Sequence, residues 1–481
     1  MLKLNRKELN DKIYACWIGK NIGGTLGGPY EGKKMVLDCK GFTTEPGVPL
    51  PNDDLDLQLI WLKAIREVGP LHLDCNTLGT YWLEYITPCW NEYGVAKSNM
   101  KNGLMPPLSG QFANTWKHSN GAWIRTEVWA TLYPADTEMA VRYAFEDACV
   151  DHGVGDGTHA AIFVAAMESA AFVVNDLREL IKIGLSNIPE DCRFAKYINT
   201  VTECYDSGAT WLEARNKITD MSLSDPELGW FNAPANVGYA IIGLLYGEGD
   251  FKNSMLIAIN CGDDTDCSAA TVGSILGIMH GTEIIPKDWQ EYIGDSIITK
   301  CINLPAVAGN RAYYTLPTTC TQFADAIIDT HHLTMRPRFV CITDEETEID
   351  EKFVELFYGD KLDLSKKPEY FTIHNSNLAQ IVVAYDTAPT ISPLEEKKIK
   401  LTFKNNMTSQ KNFTCRWIVP DGWSVSGKRT VSLNYTLIES SVDAEFIIKA
   451  GENVEAKNRV AVEINCEGQH ETIYIPVTLL G

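Results

Sequence analysis

The sequence predicts an all-α N-terminal domain, a compact orthogonal helical bundle, followed by an all-β C-terminal sandwich. Three observations lead to this fold class. Up to about residue 335, apolar residues recur every three or four positions and small residues recur four apart, whereas after Pro337 the apolar period becomes two. We therefore divide the 481 residues into a helical domain, 1–335, and an antiparallel β-sandwich, 336–481.

Two patterns predict the helices. A stretch beginning near residue 57 places apolar side chains on one helix face: Leu57, Ile60, Trp61, Ala64, Ile65 and Val68. Three other stretches carry small residues four apart: Gly19, Gly23 and Gly27; Ala161, Ala165 and Ser169; Ala269, Gly273, Gly277 and Gly281. Such stripes let two helix backbones approach closely, which offsets a propensity cost of about 1 kcal/mol per glycine.

Alternation predicts the strands of the tail. Ile399, Leu401 and Phe403 alternate with polar residues, residues 460–464 follow the same pattern, and 472–477 form another strand candidate after the turn at Glu467-Gly468. The segment 417–423 resembles the small sandwich domains appended to many bacterial glycosidases. A packing or oligomerisation domain without a ligand is the simpler interpretation of this tail.

Charge and cysteine usage exclude several classes of protein. Lys and Arg number 42 against 63 Asp and Glu, so the net charge of −21 repels nucleic acids and acidic lipid surfaces. The 14 cysteines are scattered without a CxxC pair, which favours a reducing compartment. The N-terminus lacks the layout of a secretion signal and no apolar run is long enough for a bilayer, so we expect a soluble, cytoplasmic protein.

Two short acidic clusters stand where helices begin. Asn52-Asp53-Asp54 precedes the first apolar helix, and the segment 263–268 precedes the last glycine stripe. Each cluster alone is typical of a helix cap. Buried together, however, the carboxylates would repel one another and need protons or cations. Oxygen ligands suit Mg²⁺ or Mn²⁺, so the sequence predicts two divalent cations as cofactors.

Five stretches follow one another in order over roughly the first 300 residues. They are the glycine-rich segment 16–32 containing Glu31, Asn52-Asp53-Asp54-Leu55, the segment 119–125, His152-Gly153 before an alanine-rich helix, and Asp264-Thr265-Asp266-Cys267. In this order they resemble the motifs of the ADP-ribosylglycohydrolases, whose relatives include the enzyme that reactivates ADP-ribosylated dinitrogenase reductase. The resemblance implies a helical hydrolase with a dinuclear metal site.

The resemblance also implies roles for individual residues. Metal ligation falls on Asn52, Asp53, Asp54, Asp264, Asp266 and Cys267, with Asp54 also expected to be catalytic. Four of these are aspartates, whereas Asn52, Leu55 and Cys267 stand where the family has threonine, and Gly24 where it usually has aspartate. Cys267 offers a soft sulfur, which is a poor ligand for magnesium. We expect it either to bind a cation weakly or to lie outside the set of residues that coordinate the cations.

Further residues are assigned to catalysis and substrate binding. Glu31 is expected to act as a general acid or base; alternatively it is a plain carboxylate beside Lys33 and Lys34. The resemblance implies that Asn120 and Gly121 contact substrate oxygens, although on local chemistry alone a turn before a helix is the better explanation. His152, oriented by Asp151, is expected near the metals, against the alternative of a structural histidine. The aromatic residues of 82–93 suit stacking on a sugar or base, or ordinary core packing.

Three functions remain open at this point. The first is a metal-dependent hydrolase of N- or O-glycosidic bonds, acting on an ADP-ribosyl or related ribosyl substrate whose diol is bound by the metals. The second is a glycoside hydrolase acting on a different furanoside or a small oligosaccharide. The third is a catalytically inactive binding or structural protein. The expected partners are a small-molecule or ADP-ribosylated substrate and, as one option, a second copy of the chain.

Overall fold

In a computed structural model of the protein, helices predominate among the described residues up to 334 and strands predominate from residue 370. The structure describes residues 1–481 apart from 304–314, 348, 350, 360, 361, 363, 406–408 and 434–440. The helices are α1 Arg6–Gly27, α2 Asp53–Val68, α3 Cys75–Tyr85, α4 Asn91–Lys101, α5 Leu108–Gln111, α6 Glu127–Leu132, α7 Thr137–Asp151, α8 Asp156–Ala170, α9 Leu177–Ser186, α10 Arg193–Asp206, α11 Trp211–Ser224, α12 Ala233–Tyr246, α13 Phe251–Asn260, α14 Thr265–His280, α15 Lys287–Ile293, α16 Cys320–Thr334 and α17 Glu351–Val354.

The glycine stripes bring α1 and α14 into close contact. A Cβ added at Gly19 would lie 2.3 Å from the carbonyl oxygen of Gly273, and one added at Gly23 would lie 2.4 Å from that of Ala269. Near the end of α1, a Cβ at Gly27 would lie 2.3 Å from the carbonyl oxygen of Thr265. The predicted close crossing is therefore confirmed, and it holds the C-terminal end of α1 beside the N-terminal end of α14.

The strands form two sheets of a sandwich and one small pair. They are β1 Leu2–Asn5, β2 Val340–Thr343, β3 Tyr370–Asn375, β4 Ala379–Tyr385, β5 Glu396–Asn405, β6 Lys411–Ile418, β7 Ser424–Gly427, β8 Thr430–Leu433, β9 Ser441–Lys449, β10 Lys457–Cys466 and β11 Thr472–Leu480. The strand orders are β3-β4-β5-β9-β7 and β11-β10-β6-β8, with antiparallel neighbours. The predicted all-α plus all-β class is confirmed.

The apolar residues that alternate with polar ones along the strands are buried in the core of the sandwich, as predicted. Ile399, Leu401 and Phe403 are fully buried on β5, as are Val462 and Ile464 on β10. The β region contacts the helical region at several places. Among them, β1 pairs in parallel with β2, and Leu104 and the first residue of α5, Leu108, are members of the sandwich core. The domain division at residue 335 stays a prediction.

Candidate active site

The Asn52 cap places two aspartates at the start of α2. The Asn52 side-chain oxygen accepts a hydrogen bond from the Asp54 N–H at 2.8 Å, and this starts the helix at Asp53, four residues before the apolar stripe. Asp53 is half-buried, while the Asp54 carboxylate is fully buried. The Tyr93 hydroxyl donates to Asp53 Oδ2 at 3.0 Å. The predicted cap is thus present, and it leaves both carboxylates free of capping contacts.

Asp264 stands at the capping position of α14 but does not cap it. Its Oδ2 accepts a hydrogen bond from Asn120 Nδ2 at 2.6 Å, and its own N–H donates to Asn236 Oδ1 at 3.1 Å. The Thr265 hydroxyl donates to the carbonyl of Gly27 at 2.9 Å, which fixes this turn on the end of α1. Hydrogen bonds to the chain on both sides therefore orient the Asp264 carboxylate toward the cleft instead of toward its own helix.

Glu31 also lies at this cleft, and it comes from the segment that follows α1. It follows the short 3₁₀ turn Gly28–Tyr30, and the next residue, Gly32, donates its N–H to the carbonyl of Asp263 at 2.8 Å. A bridge between Lys33 and Asp263 extends this pairing. The backbone of the 31–33 segment is thereby joined to the residue just before Asp264.

The two acidic motifs meet in one cleft, although about two hundred residues separate them. Single ligand atoms of Asp54, Asp266 and Cys267 all lie within 4.8 Å of one another, and so do those of Glu31, Asp264 and Asp266. Asp266 belongs to both groups. The cleft is lined by Glu31, Asp53, Trp90, Asn91, Glu92, Tyr93, Ser119, Asn120, Gly121, Ile124, Phe231, Asp264, Asp266 and Cys267.

Burial and mutual repulsion raise the pKa values of these acids. Burial, followed by the Asp266 charge, raises the pKa of Asp264 well above its usual range. Burial also raises the pKa of Asp54, although the Lys20 ammonium opposes the shift. The charge of Asp266, then burial and Asp53, raise the pKa of Glu31 to about 7. In the absence of cations, some of these groups are therefore protonated at neutral pH.

The donor set fits divalent cations that prefer oxygen. Asp54 Oδ2, Asp264 Oδ1 and Asp266 Oδ1 are buried and accept no hydrogen bond from any described residue. Unpaired buried carboxylate oxygens are costly, and a hard divalent cation is the ligand that satisfies them best. Asn52 fits less directly, because its oxygen already caps α2.

His152 and Asp151 lie behind the cleft wall instead of lining it. Asp151 accepts hydrogen bonds from Arg125 Nη2 at 2.8 Å and pairs with His152 Nδ1 at 2.8 Å, as the predicted orienting role requires. His152 Nε2 lies 3.2 Å from Ser119 Oγ, and both members of the His152–Asp151 pair are fully buried. Their expected contact with substrate stays a prediction, and in this arrangement they would act through Ser119.

Asn120 and Gly121 do line the cleft. The Asn120 side chain is already engaged, since Nδ2 donates to Asp264 and Oδ1 accepts from Trp123 Nε1 at 2.9 Å. Asn120 thus positions a carboxylate. A Cβ at Gly121 would lie 2.4 Å from Glu92 Oε1 and 3.1 Å from His152 Cε1, so only glycine fits at this point of the wall.

Sequence reasoning missed two groups of polar residues. Glu92 lines the cleft, and its Oε2 is buried with no hydrogen-bond partner among the described residues. Lys20 is fully buried: its Nζ donates to Glu127 Oε1 at 2.8 Å and lies 3.7 Å from Asp54 Oδ2. A lysine one residue after Gly19, inside a small-residue helix, was the only available signal for the second group. Of the aromatic run, Trp90 and Tyr93 line the cleft, while Trp82 is core.

The chain belongs to the ADP-ribosylglycohydrolase family, whose model matches residues 5–314. An uncharacterized protein of Archaeoglobus fulgidus is 25% identical over 312 residues, 60% of this chain and 93% of that protein. ADP-ribosylarginine hydrolase Tri1 of Serratia proteamaculans is 38% identical over 52 residues, 11% of this chain and 14% of its own length. The chain is also similar to the solved structure of an ADP-ribosylglycohydrolase-related protein complex, with 17% sequence identity and a TM-score of 0.45. That match covers 68% of this chain and 100% of the other. The resemblance read from the five motifs is confirmed.

Proposed function

We propose that the protein is a metal-dependent hydrolase of N- or O-glycosidic bonds, with an ADP-ribosyl or related ribosyl group as substrate. One observation carries the proposal: Asp53, Asp264, Asp266 and Glu31 line a single cleft, with Asp54 in ligand range of Asp266. The family supports hydrolysis of such substrates. Two divalent cations, Mg²⁺ or Mn²⁺, are the proposed cofactors, held by Asp53, Asp54, Asp264 and Asp266.

Bound cations would supply a binding point for the ribose diol and would lower the pKa of a water molecule. The chain's own residues do the rest. Asn120 holds the Asp264 carboxylate in the cleft, and Tyr93 holds that of Asp53. Glu31 is exposed at the cleft, where its carboxylate can take a proton from water or give one to the leaving group. A glycosidic transition state carries positive charge, which the surrounding carboxylates favour.

A substrate panel tests the proposal. The chelator-treated protein is supplied with Mg²⁺ or Mn²⁺ and with peptides ADP-ribosylated on arginine or on serine, and free ADP-ribose is measured. We expect cation-dependent release that the Asp264→Asn variant does not show. Release from neither peptide, together with turnover of another furanoside, would favour the second candidate. That candidate is motivated by Asn52 and Leu55, which replace the family's threonines.

A catalytically inactive binding or structural protein is the third candidate. It would bind no divalent cation and turn over none of these substrates, so metal analysis of the purified protein separates it from the other two. The chain retains four aspartates at the cleft, and three of them have a buried oxygen without a hydrogen-bond partner among the described residues, which argues against this candidate.

The proposed cellular setting is the cytoplasm. All 14 cysteines lie among the described residues and are unpaired, which supports a reducing compartment. In the described part of the chain, none of the helices combines the length and the apolar character needed to cross a bilayer.

A further inference from the structure

Cys267 faces the cleft from the first turn of α14. Its side chain is 5% exposed, it belongs to the cleft lining, and its thiol donates a hydrogen bond to Asp54 Oδ1 at 3.4 Å. Its Sγ forms one of three groups of possible ligand atoms among the described residues, together with Asp54 and Asp266. Since all 14 cysteines are among the described residues, Cys267 is the one cysteine that takes part in any such group.

The two groups that share Asp266 differ in chemistry. Glu31, Asp264 and Asp266 offer oxygen alone, whereas Asp54, Asp266 and Cys267 offer two carboxylates and a sulfur. The buried oxygen Asp266 Oδ1 has no hydrogen-bond partner among the described residues, which points independently to a cation at this position. Asp54 Oδ2 also lacks a hydrogen bond, but it lies 3.7 Å from Lys20 Nζ. Magnesium accepts oxygen ligands and avoids sulfur, while thiolates favour the later first-row divalent ions.

We propose that the two cation positions are unequal: the position formed by Asp54, Asp266 and Cys267 binds a borderline ion of the Co²⁺ or Zn²⁺ class through the Cys267 sulfur. The all-oxygen position at Asp264 and Asp266, beside Glu31, takes a hard ion such as Mg²⁺ or Mn²⁺. On binding, a metal–sulfur bond replaces the S–H bond, and the proton leaves to solvent. This inference rests on the cation-binding part of the proposed function and is independent of the sugar substrate.

Cobalt is the probe, because a thiolate bound to Co²⁺ gives a near-ultraviolet charge-transfer absorption that oxygen ligands do not give. The chelator-treated full chain is titrated with Co²⁺, and the absorption and the affinity are recorded together. We expect the band in the wild type and its loss in Cys267→Ser and Cys267→Thr, of which the second places the family's threonine in this position. The exposed Cys89 provides the matched control: Cys89→Ser should keep the band.

The affinities give a second readout. Because even residues that only support metal ligands change affinity by about 10–100-fold, loss of the sulfur should weaken Co²⁺ and Zn²⁺ binding by at least about tenfold. Mg²⁺ binding to the all-oxygen position should stay unchanged. An X-ray absorption spectrum of the Zn²⁺-loaded wild type needs no variant and should show a sulfur at about 2.3 Å.

Three results would overturn the inference. The first is tight binding of Co²⁺ to the wild type without the charge-transfer band, the second is persistence of the band in Cys267→Ser, and the third is a Zn²⁺ spectrum with oxygen neighbours alone. Each would leave the proposed hydrolase with two oxygen-bound cations intact. Failure of Co²⁺, Zn²⁺, Mg²⁺ and Mn²⁺ alike to bind would instead remove the cation-dependent function as well, so the two failures are distinguishable.

Discussion

Replacing Asp264 by asparagine should stabilise the metal-free protein and abolish cation binding. Asp264 Oδ2 accepts from Asn120 Nδ2, and an asparagine oxygen can keep that bond. The new amide nitrogen can then donate toward Asp266, whose charge is one of the causes that raise the pKa of Asp264. In the metal-free protein, a hydrogen bond thus replaces the repulsion between the carboxylates of residues 264 and 266. At the same time, residue 264 no longer offers a charged oxygen to a cation.

The size of the gain follows from the distance between the two acids. Ligand oxygens of Asp264 and Asp266 lie within 4.8 Å of one another. Two full charges at that separation repel by roughly 3.5 kcal/mol at an effective dielectric constant of about 20. Because burial raises the pKa of Asp264 and so reduces its charge in the folded state, we expect only part of this, about 1–2 kcal/mol. With an unfolding entropy of about 2.1 cal/mol/K per residue, that raises the Tm of a chain of this size by about 1–2 °C.

Thermal unfolding with and without cations is the assay, and Asp263→Asn is the matched control. Asp263 is equally buried, but its carboxylate lies 3.6 Å from Lys34 Nζ and belongs to none of the groups of possible ligand atoms. Wild type and Asp263→Asn should be stabilised by about 2.7 kcal/mol at a cation concentration of 100 times Kd, and Asp264→Asn by much less. A metal-free Asp264→Asn that melts below the wild type would refute the reasoning, because Asp264 would then have a favourable partner.

Three further predictions concern stability. Burial raises the pKa values of Asp54 and Asp264, and it raises the pKa of Asp56, which lies in the first turn of α2, to about 7. The folded state therefore holds protons more tightly than the unfolded chain, so metal-free stability should fall as pH rises from about 5 to 8. Saturating Mn²⁺ should flatten this slope in urea unfolding, and a slope of opposite sign would contradict the assignment. Lys20→Met should cost about 3–5 kcal/mol in urea unfolding because Glu127 loses its buried partner, whereas Lys12→Met, whose ion-pair partner Glu8 is exposed, should cost clearly less. Gly23→Ala, whose Cβ would lie 2.4 Å from the Ala269 backbone, should lower the stability by about 1–3 kcal/mol, and Gly229→Ala, with open space around its Cβ, should not.

Local patterns predicted the parts of the site that depend on helix geometry. The spacing of Gly19, Gly23 and Gly27 predicts a close crossing, and the Asn52 cap predicts a helix beginning beside two aspartates; both are present. The family resemblance supplied the pairing of Asp53 and Asp54 with Asp264 and Asp266. Capping chemistry alone predicts that Asp264 caps its own helix, and this is wrong because Asn120 holds its carboxylate.

Local sequence patterns could not predict contacts between residues that are far apart in the chain. Lys20 and Glu127 are more than a hundred residues apart, and a charged residue inside a helix is typical of an exposed face. Glu92 is similar, since it lies in the first turn of α4, where an acid is expected simply for the helix dipole. Its position in the cleft depends on Gly121, whose missing side chain leaves room for the Glu92 carboxylate.

The contacts of Lys20 with buried acids should allow the chain to fold without a bound cation. The single positive charge of Lys20 lies 2.8 Å from Glu127 and 3.7 Å from Asp54, so it cannot fully neutralise both carboxylates. Glu168 adds a further acid, whose pKa is raised by burial and then by Glu127. Lys20 therefore makes the buried acids tolerable without cancelling the negative charge that a cation at Asp54 would meet. The chain should thus fold without metal and gain stability from it, unlike small zinc domains that are unfolded when metal-free.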